Sequence, residues 1–191
     1  MTYLAENRRR LRRSLVAAAR ELTVANGWDG VRMADVAAAV GVSRQTVYNE
    51  FDGKPGLAEA VVAAEVERFV ATVRAALFEH GADVRAAARA AIHAVLVEGA
   101  ADPLVRAILT GAPDGGLLPY LTTDGGMVLA AAGAVIREWA AEFVPEAGGD
   151  RLDAAADAVV RLTVSHLMLP AAPPGPTADA LADDFVRLLA D

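Results

Sequence analysis

Apolar residues recur along most of this chain at helical rather than strand spacing. Leu11, Leu15, Ala18, Leu22 and Ala25 fall on one face of a helix expected over about residues 6–25, which Asn26-Gly27 should end. Met33, Val36, Ala37 and Val40 repeat at i, i+3, i+4 and i+7, and Gly41 stands where such a short helix would stop. Ser43 is a good N-cap for a third helix, with Val42 and Val47 at the two staple positions around it. That helix should end near Phe51, because Asp52-Gly53 is a turn pair. Alternation with a period of two is rare, alanine is abundant and aromatic residues are only 5%, so strands are not expected.

Behind this head the helical pattern continues. A long helix can run from Lys54 to about His80, with others over 83–99, 102–110 and roughly 119–144. Asp102-Pro103 and the Gly/Pro-rich stretch 111–119 separate them, and Gly148-Gly149 makes another break. A final pair is expected over 150–169 and 178–190, joined by the proline-rich segment from Pro170 to Pro176. The expected fold is therefore all-α with about nine helices. A three-helix N-terminal domain would occupy 1–53 and a helical C-terminal domain 54–191.

Composition narrows the chemistry. Hydrophobic residues make up 54% of the 191, which requires a large buried apolar surface in a core, a pocket or a subunit interface. There is no cysteine, so disulfides, thiolate metal sites and cysteine nucleophiles are excluded. The three histidines, His80, His93 and His166, are too scattered to suggest a metal cluster, and no cofactor is implied. Nothing in 55–191 forms a nucleophile–base–acid set or a glycine-rich phosphate loop, so an enzyme is not expected. No stretch reads as transmembrane. The apolar run after the arginines at 8–13 is cut at Arg20-Glu21, short of an export signal, so the protein is expected in the cytoplasm.

The net charge of −7 conceals an asymmetry. Residues 1–54 carry nine basic and six acidic side chains, whereas 55–191 carry nine and nineteen. A basic head on an acidic body suits contact with a polyanion at one end. Two short helices joined by a tight turn, Val40-Gly41-Val42-Ser43, form a helix-turn-helix pattern. With Val47 and Phe51 anchoring the third helix, Gln45 and Asn49 point away, Thr46 and Tyr48 flank them, and Arg44 sits at the first turn. Those side chains read base edges and bind phosphates, where a merely solvated helix more often shows Glu and Lys.

The ordered set Leu22, Gly27, Asp35-Val36-Ala37, Gly41-Val42-Ser43, Val47-Tyr48, Phe51, Lys54 and Leu57 resembles the TetR-type transcriptional regulators. The resemblance spans about residues 17–60. It implies a recognition helix over 44–50, with Arg44, Gln45, Thr46, Tyr48 and Asn49 as DNA contacts, Tyr48 lying against the backbone. It also implies a phosphate contact by Lys54, which is the only lysine in the chain. Two departures stand out. Arg32 occupies the usual Ser/Thr cap of the second helix, and Glu50 falls where relatives place a DNA contact. An acid there repels phosphate but can accept from a cytosine amino group, and it is expected either to pair with Arg44 or to lie clear of the groove. The arginine run opposes the macrodipole of its own helix, which an external polyanion would relieve.

The same resemblance implies a small-molecule pocket between helices four and eight and a homodimer formed by the last two helices. Leu181, Phe185, Leu188 and Leu189 form an apolar stripe that suits such an interface and equally suits a monomer core. Candidate ligand contacts are Phe69, Ile92, Leu96, Ile108, Leu109, Tyr120, Trp139 and Phe143, few of them interrupted by charge, which favours a hydrophobic effector. Arg85, Arg89 and Arg106 are available to pair with an anionic head group. The expected function is a DNA-binding regulator, probing double-stranded operator DNA as a repressor whose affinity an apolar molecule alters. The alternative is a helical interaction module that keeps the helix-turn-helix only as scaffold.

Overall fold

The computed structural model describes residues 3–110, 116–122 and 125–190. Those residues form α1 (Tyr3–Gly30), α2 (Met33–Val40), α3 (Arg44–Phe51), α4 (Lys54–His80), α5 (Val84–Ala101), α6 (Pro103–Thr110), α7 (Gly126–Phe143), α8 (Asp150–Met168) and α9 (Pro174–Ala190), with no strand among them. No helix among the described residues is long and apolar enough to cross a membrane.

The helices depart from the expected boundaries in three places. At Gly27 the backbone of α1 leaves the helical region (φ 69°, ψ 159°), but helical turns resume to Gly30, so Asn26-Gly27 kinks the helix instead of ending it. The helix expected over 119–144 is instead a short 3-10 turn at Leu118–Leu121, followed by α7 from Gly126. α9 begins four residues early, at Pro174, because Pro174 and Pro176 lie in a first turn whose N–H groups have no intrahelical partner anyway.

The chain packs as two units: residues 1–65 with 103–123, and 66–102 with 124–191. This differs from the division expected at 53/54. The opening turns of α4 carry buried Leu57, Ala58 and Val61 and belong with the first unit, as does α6, which lies against α1. The first unit also buries Leu15, Ala19, Val31, Val36, Val47 and Phe51. At the α3–α4 corner, Gly56 sits so near the Phe51 carbonyl that a Cβ would overlap its oxygen.

The second unit is held by an alanine-rich core. Ala87, Ala88 and Ala91 of α5, Ala155 and Ala156 of α8, and Ala178 and Ala182 of α9 are all buried, and small side chains let helix axes approach closely. Trp139 is the large central group, fully buried, with its Nε1 donating to the Gly81 carbonyl at 2.9 Å. Phe78 and Phe143 meet edge to face with centroids 5.6 Å apart. Leu181 and Phe185 are buried in this core, each worth about 1.5–3 kcal/mol of burial. Of the apolar stripe on α9, only Leu188 is exposed. Arg85 and Arg89 pair with Asp179 and Asp183 of α9 (Arg85 Nε to Asp183 at 2.7 Å, Arg89 Nε to Asp179 at 2.7 Å), so both arginines are already partnered within the chain.

Alanine is normally a better helix residue than glycine. Gly56→Ala should nevertheless destabilise the protein by about 1–3 kcal/mol or more, because the obstacle is backbone that cannot rotate away. Gly99→Ala offers the contrast: its Cβ would meet only the methyl groups of Leu167, which can shift. Thermal denaturation followed by circular dichroism should therefore show a clear fall in Tm for Gly56→Ala and a much smaller change for Gly99→Ala. Equal Tm values would remove the backbone overlap as a constraint.

Candidate nucleic-acid interface

The turn between α2 and α3 is closed from both sides. Gly41 takes the left-handed conformation (φ 75°, ψ 34°), its N–H reaches the Ala38 carbonyl, and the Val42 N–H bonds to the Ala37 carbonyl at 3.0 Å. These bonds satisfy carbonyls that α2 would otherwise leave open at its end. Ser43 then starts α3, its Oγ accepting from the Thr46 N–H at 3.1 Å and lying 2.8 Å from Thr46 Oγ1. Asp52 closes α3 in a left-handed conformation (φ 54°), donating its N–H to the Tyr48 carbonyl.

Between those caps α3 buries one narrow stripe, Val47 and Phe51. Arg44, Gln45, Tyr48 and Asn49 are exposed and Thr46 is half-buried. The exposed four are organised as two i, i+4 pairs. Arg44 Nη2 donates to the Tyr48 hydroxyl at 3.1 Å, with its guanidinium 5.2 Å from the ring centroid. That hydrogen bond pushes the Arg44 pKa up from its ordinary value. Gln45 Nε2 donates to Asn49 Oδ1 at 2.8 Å. Pairing of this kind limits the rotamers of both side chains in each pair.

Lys54, at the start of α4, is half-buried and not free in solvent. Its Nζ donates to the Asp29 carbonyl at 3.2 Å and lies 5.3 Å from the Trp28 ring centroid. Arg32 precedes α2 without making a side-chain cap and is exposed. Glu50 does not pair with Arg44. Its carboxylate accepts from Arg8 Nε at 2.9 Å and from Arg12 Nη1 at 3.4 Å, while its backbone carbonyl accepts from Arg12 Nη1 at 2.9 Å. The arginine run and the acid account for each other, although 38 and 42 residues separate them.

The eight candidate ligand contacts divide between the units. Ile108 and Leu109 of α6 and Tyr120 of the 3-10 turn belong to the first unit and are half-buried. Phe69, Ile92, Leu96, Trp139 and Phe143 belong to the second. Of these, Ile92, Leu96 and Trp139 are core, Phe143 packs on that core, and Phe69 lies 4.5 Å beneath the Arg68 guanidinium. Beside Phe69, Arg68 binds both Glu98 and Asp102, and Thr72 donates to Glu98 at 2.8 Å. The spacing of apolar residues gave no hint of this polar cluster, because its members come from α4 and from the end of α5, some 30 residues apart.

Comparison with known proteins decides the family. Residues 15–61 match the family described as bacterial regulatory proteins, tetR family, and residues 83–187 match the bacterial tetracyclin repressor C-terminal domain, over half of the chain. The chain belongs to the TetR family. It is 32% identical to the HTH-type transcriptional regulator AlkX of Mycobacterium tuberculosis, over 98% of this chain and 87% of that protein. The crystal structure of the TetR family repressor AlkX from Dietzia sp. strain DQ12-45-1b, implicated in biodegradation of n-alkanes, superimposes with a TM-score of 0.77 at 30% identity. It covers 93% of this chain and 96% of that one. The R. erythropolis transcriptional repressor QsdR shares the fold at 19% identity, TM-score 0.67 and 94% of each chain. This TetR-family protein is accordingly a DNA-binding transcriptional regulator, and the scaffold-only alternative gains no support.

The Ser43 cap sets where α3 begins, and so where its exposed pairs point. Ser43→Ala should cost about 0.5–2 kcal/mol of stability, with Ser43→Gly costing only a few tenths. Urea denaturation of both variants tests this, and an Ala variant as stable as the parent would show that the cap does not hold the helix start.

Proposed function

We propose that this TetR-family protein is a cytoplasmic, non-enzymatic repressor that grips operator DNA as a homodimer and responds to a hydrophobic aliphatic effector. The observation that carries the reading is the outward face of α3, where Arg44, Gln45, Tyr48 and Asn49 stand exposed with no acid free among them. Arg44 suits a guanine edge, Gln45 or Asn49 an adenine, and Tyr48, Thr46 and Lys54 the backbone. Lys54 can turn from the Asp29 carbonyl to a phosphate without losing its charge partner, since that carbonyl is neutral.

The dimer contact proposed for α8 and α9 uses their outward faces. Leu162, Leu169 and Leu188 are exposed there, whereas Leu181 and Phe185 are committed inward. Two-fold pairing would set the two α3 helices about 34–36 Å apart, one turn of the duplex. The aliphatic effector is inferred from the apolar composition of the helices behind the helix-turn-helix. The Dietzia relative, implicated in n-alkane biodegradation, supports the same chemistry. Because Arg85 and Arg89 are paired with α9, they are poor candidates for an effector head group.

A gel shift with DNA flanking the gene of this protein tests the central reading. Arg44→Ala should cost about 1–3 kcal/mol and relax preference at one base pair per half-site; a uniform loss on all sequences would make Arg44 a phosphate contact. Lys54→Ala should weaken all sequences alike and lower the salt slope by about one.

Effector coupling is reciprocal. Palmitate titrated calorimetrically should bind about 5–150-fold more weakly or more tightly when operator is present, and operator affinity should shift by the same factor. Equal palmitate affinities with and without operator would sink the allosteric model.

A further inference from the structure

Glu50 is an acid on the helix that meets DNA, and its surroundings give it a purpose. Its side chain is only 10% exposed, whereas that of Arg8, its partner at 2.9 Å, is 69% exposed. Arg12 is held three ways, by the Glu50 carboxylate at 3.4 Å, by the Glu50 backbone carbonyl at 2.9 Å and by the Phe51 ring, 4.5 Å from the guanidinium to its centroid. Arg8 has the single carboxylate contact among those described. A carboxylate so enclosed needs a cationic partner, because an unpaired charge with little access to water is costly. A phosphate that drew both arginines away would leave Glu50 bare and would itself be repelled by it. Two cations beside the DNA-facing helix are thereby withheld from sequence-independent binding.

We propose that Glu50 is a specificity-determining residue that acts through Arg8 and Arg12. By occupying them, it lowers affinity for arbitrary DNA and leaves discrimination to Arg44, Gln45 and Asn49. The proposal deepens the DNA-binding reading and rests on it. Non-specific affinity comes almost entirely from phosphate neutralisation and counterion release, so two more available cations raise affinity for every sequence. Base contacts are unchanged by their release. The ratio of operator to non-specific affinity therefore falls when the acid is lost.

The test measures binding of the full-length protein to a mixed-sequence duplex, and to the DNA flanking its gene, across a salt series. Glu50→Gln keeps the shape and removes the charge. On the mixed duplex its log K against log salt should steepen by about 0.9 for each arginine released. Between 50 and 200 mM salt that is an extra loss of roughly 3.5-fold per arginine, with tighter binding than the parent at the low-salt end. Adding Arg8→Ala to Glu50→Gln should return about 0.9 of that slope. Arg8→Ala alone should leave the parent slope unchanged, since Arg8 is already engaged. An unchanged or shallower slope for Glu50→Gln overturns the proposal, as does a shallower slope for Arg8→Ala, which would put Arg8 on phosphate in the parent. If Glu50→Gln fails to fold by circular dichroism, a shallower slope for the exposed Arg8→Ala variant still overturns the proposal. A parent protein that binds neither DNA would defeat the regulator reading itself, a result distinguishable from binding with an unaltered slope.

Discussion

The burial of Phe51 is the contact on which the first unit turns. Its ring is buried, it lies beneath the Arg12 guanidinium of α1, and its carbonyl meets α4 at the one position where a side chain is impossible. With Val47 one turn before it, Phe51 allows α3 only a narrow buried stripe. Arg44, Gln45, Tyr48 and Asn49 lie off that stripe, so their exposure follows from how the helix is anchored. A broader apolar face would have left fewer polar side chains exposed on α3. Arg12 takes part in both tasks, covering the ring and holding the carboxylate and carbonyl of Glu50.

The second unit solves a different problem, close helix packing with few large residues. Alanines on α5, α8 and α9 bring backbones together, and Trp139 fills the space that remains, with its only polar atom satisfied by the Gly81 carbonyl. Around this core the ion pairs run between helices that lie far apart in sequence, Arg85 and Arg89 with α9 and Arg74 with Glu138. Because these pairs are solvent-exposed, each contributes little stability alone. They tie α5 to α9 and α4 to α7 at the rim of that core.

Local periodicity made the helices legible, and turn chemistry made the α2–α3 corner legible, because both depend on residues within a few positions of one another. Gly41, Ser43, Val47 and Phe51 announce their roles in the sequence and fill them in the fold. Tertiary partners were not legible. Proximity in sequence suggested for Glu50 either Arg44, six residues away, or a place clear of the groove; its partners are Arg8 and Arg12 of another helix. The stripe on α9 could face either a partner or the core, and periodicity alone cannot separate the two; Leu181 and Phe185 went inward because α5 presents small residues opposite them. The carboxylates Asp179 and Asp183, which would pass for a solvated face, are the partners of arginines more than 80 residues earlier. The compact units divide the chain elsewhere than at 53/54 for the same reason, since nothing local tells that α6 returns to α1.

Lys54 leads somewhere different. It carries the only side-chain amine in the molecule, and that amine rests against a backbone carbonyl and an indole face at the edge of the interface. In a chain whose other cations are all guanidinium groups, an amine-selective acylating reagent has a single side-chain target. Such a reagent would strip the charge from Lys54, leave the arginines untouched, and loosen the end of α1 that the lysine secures. The chain therefore has a built-in attachment point for a dye or a crosslinker at the place where protein and duplex are expected to meet, with no residue needing to be replaced first.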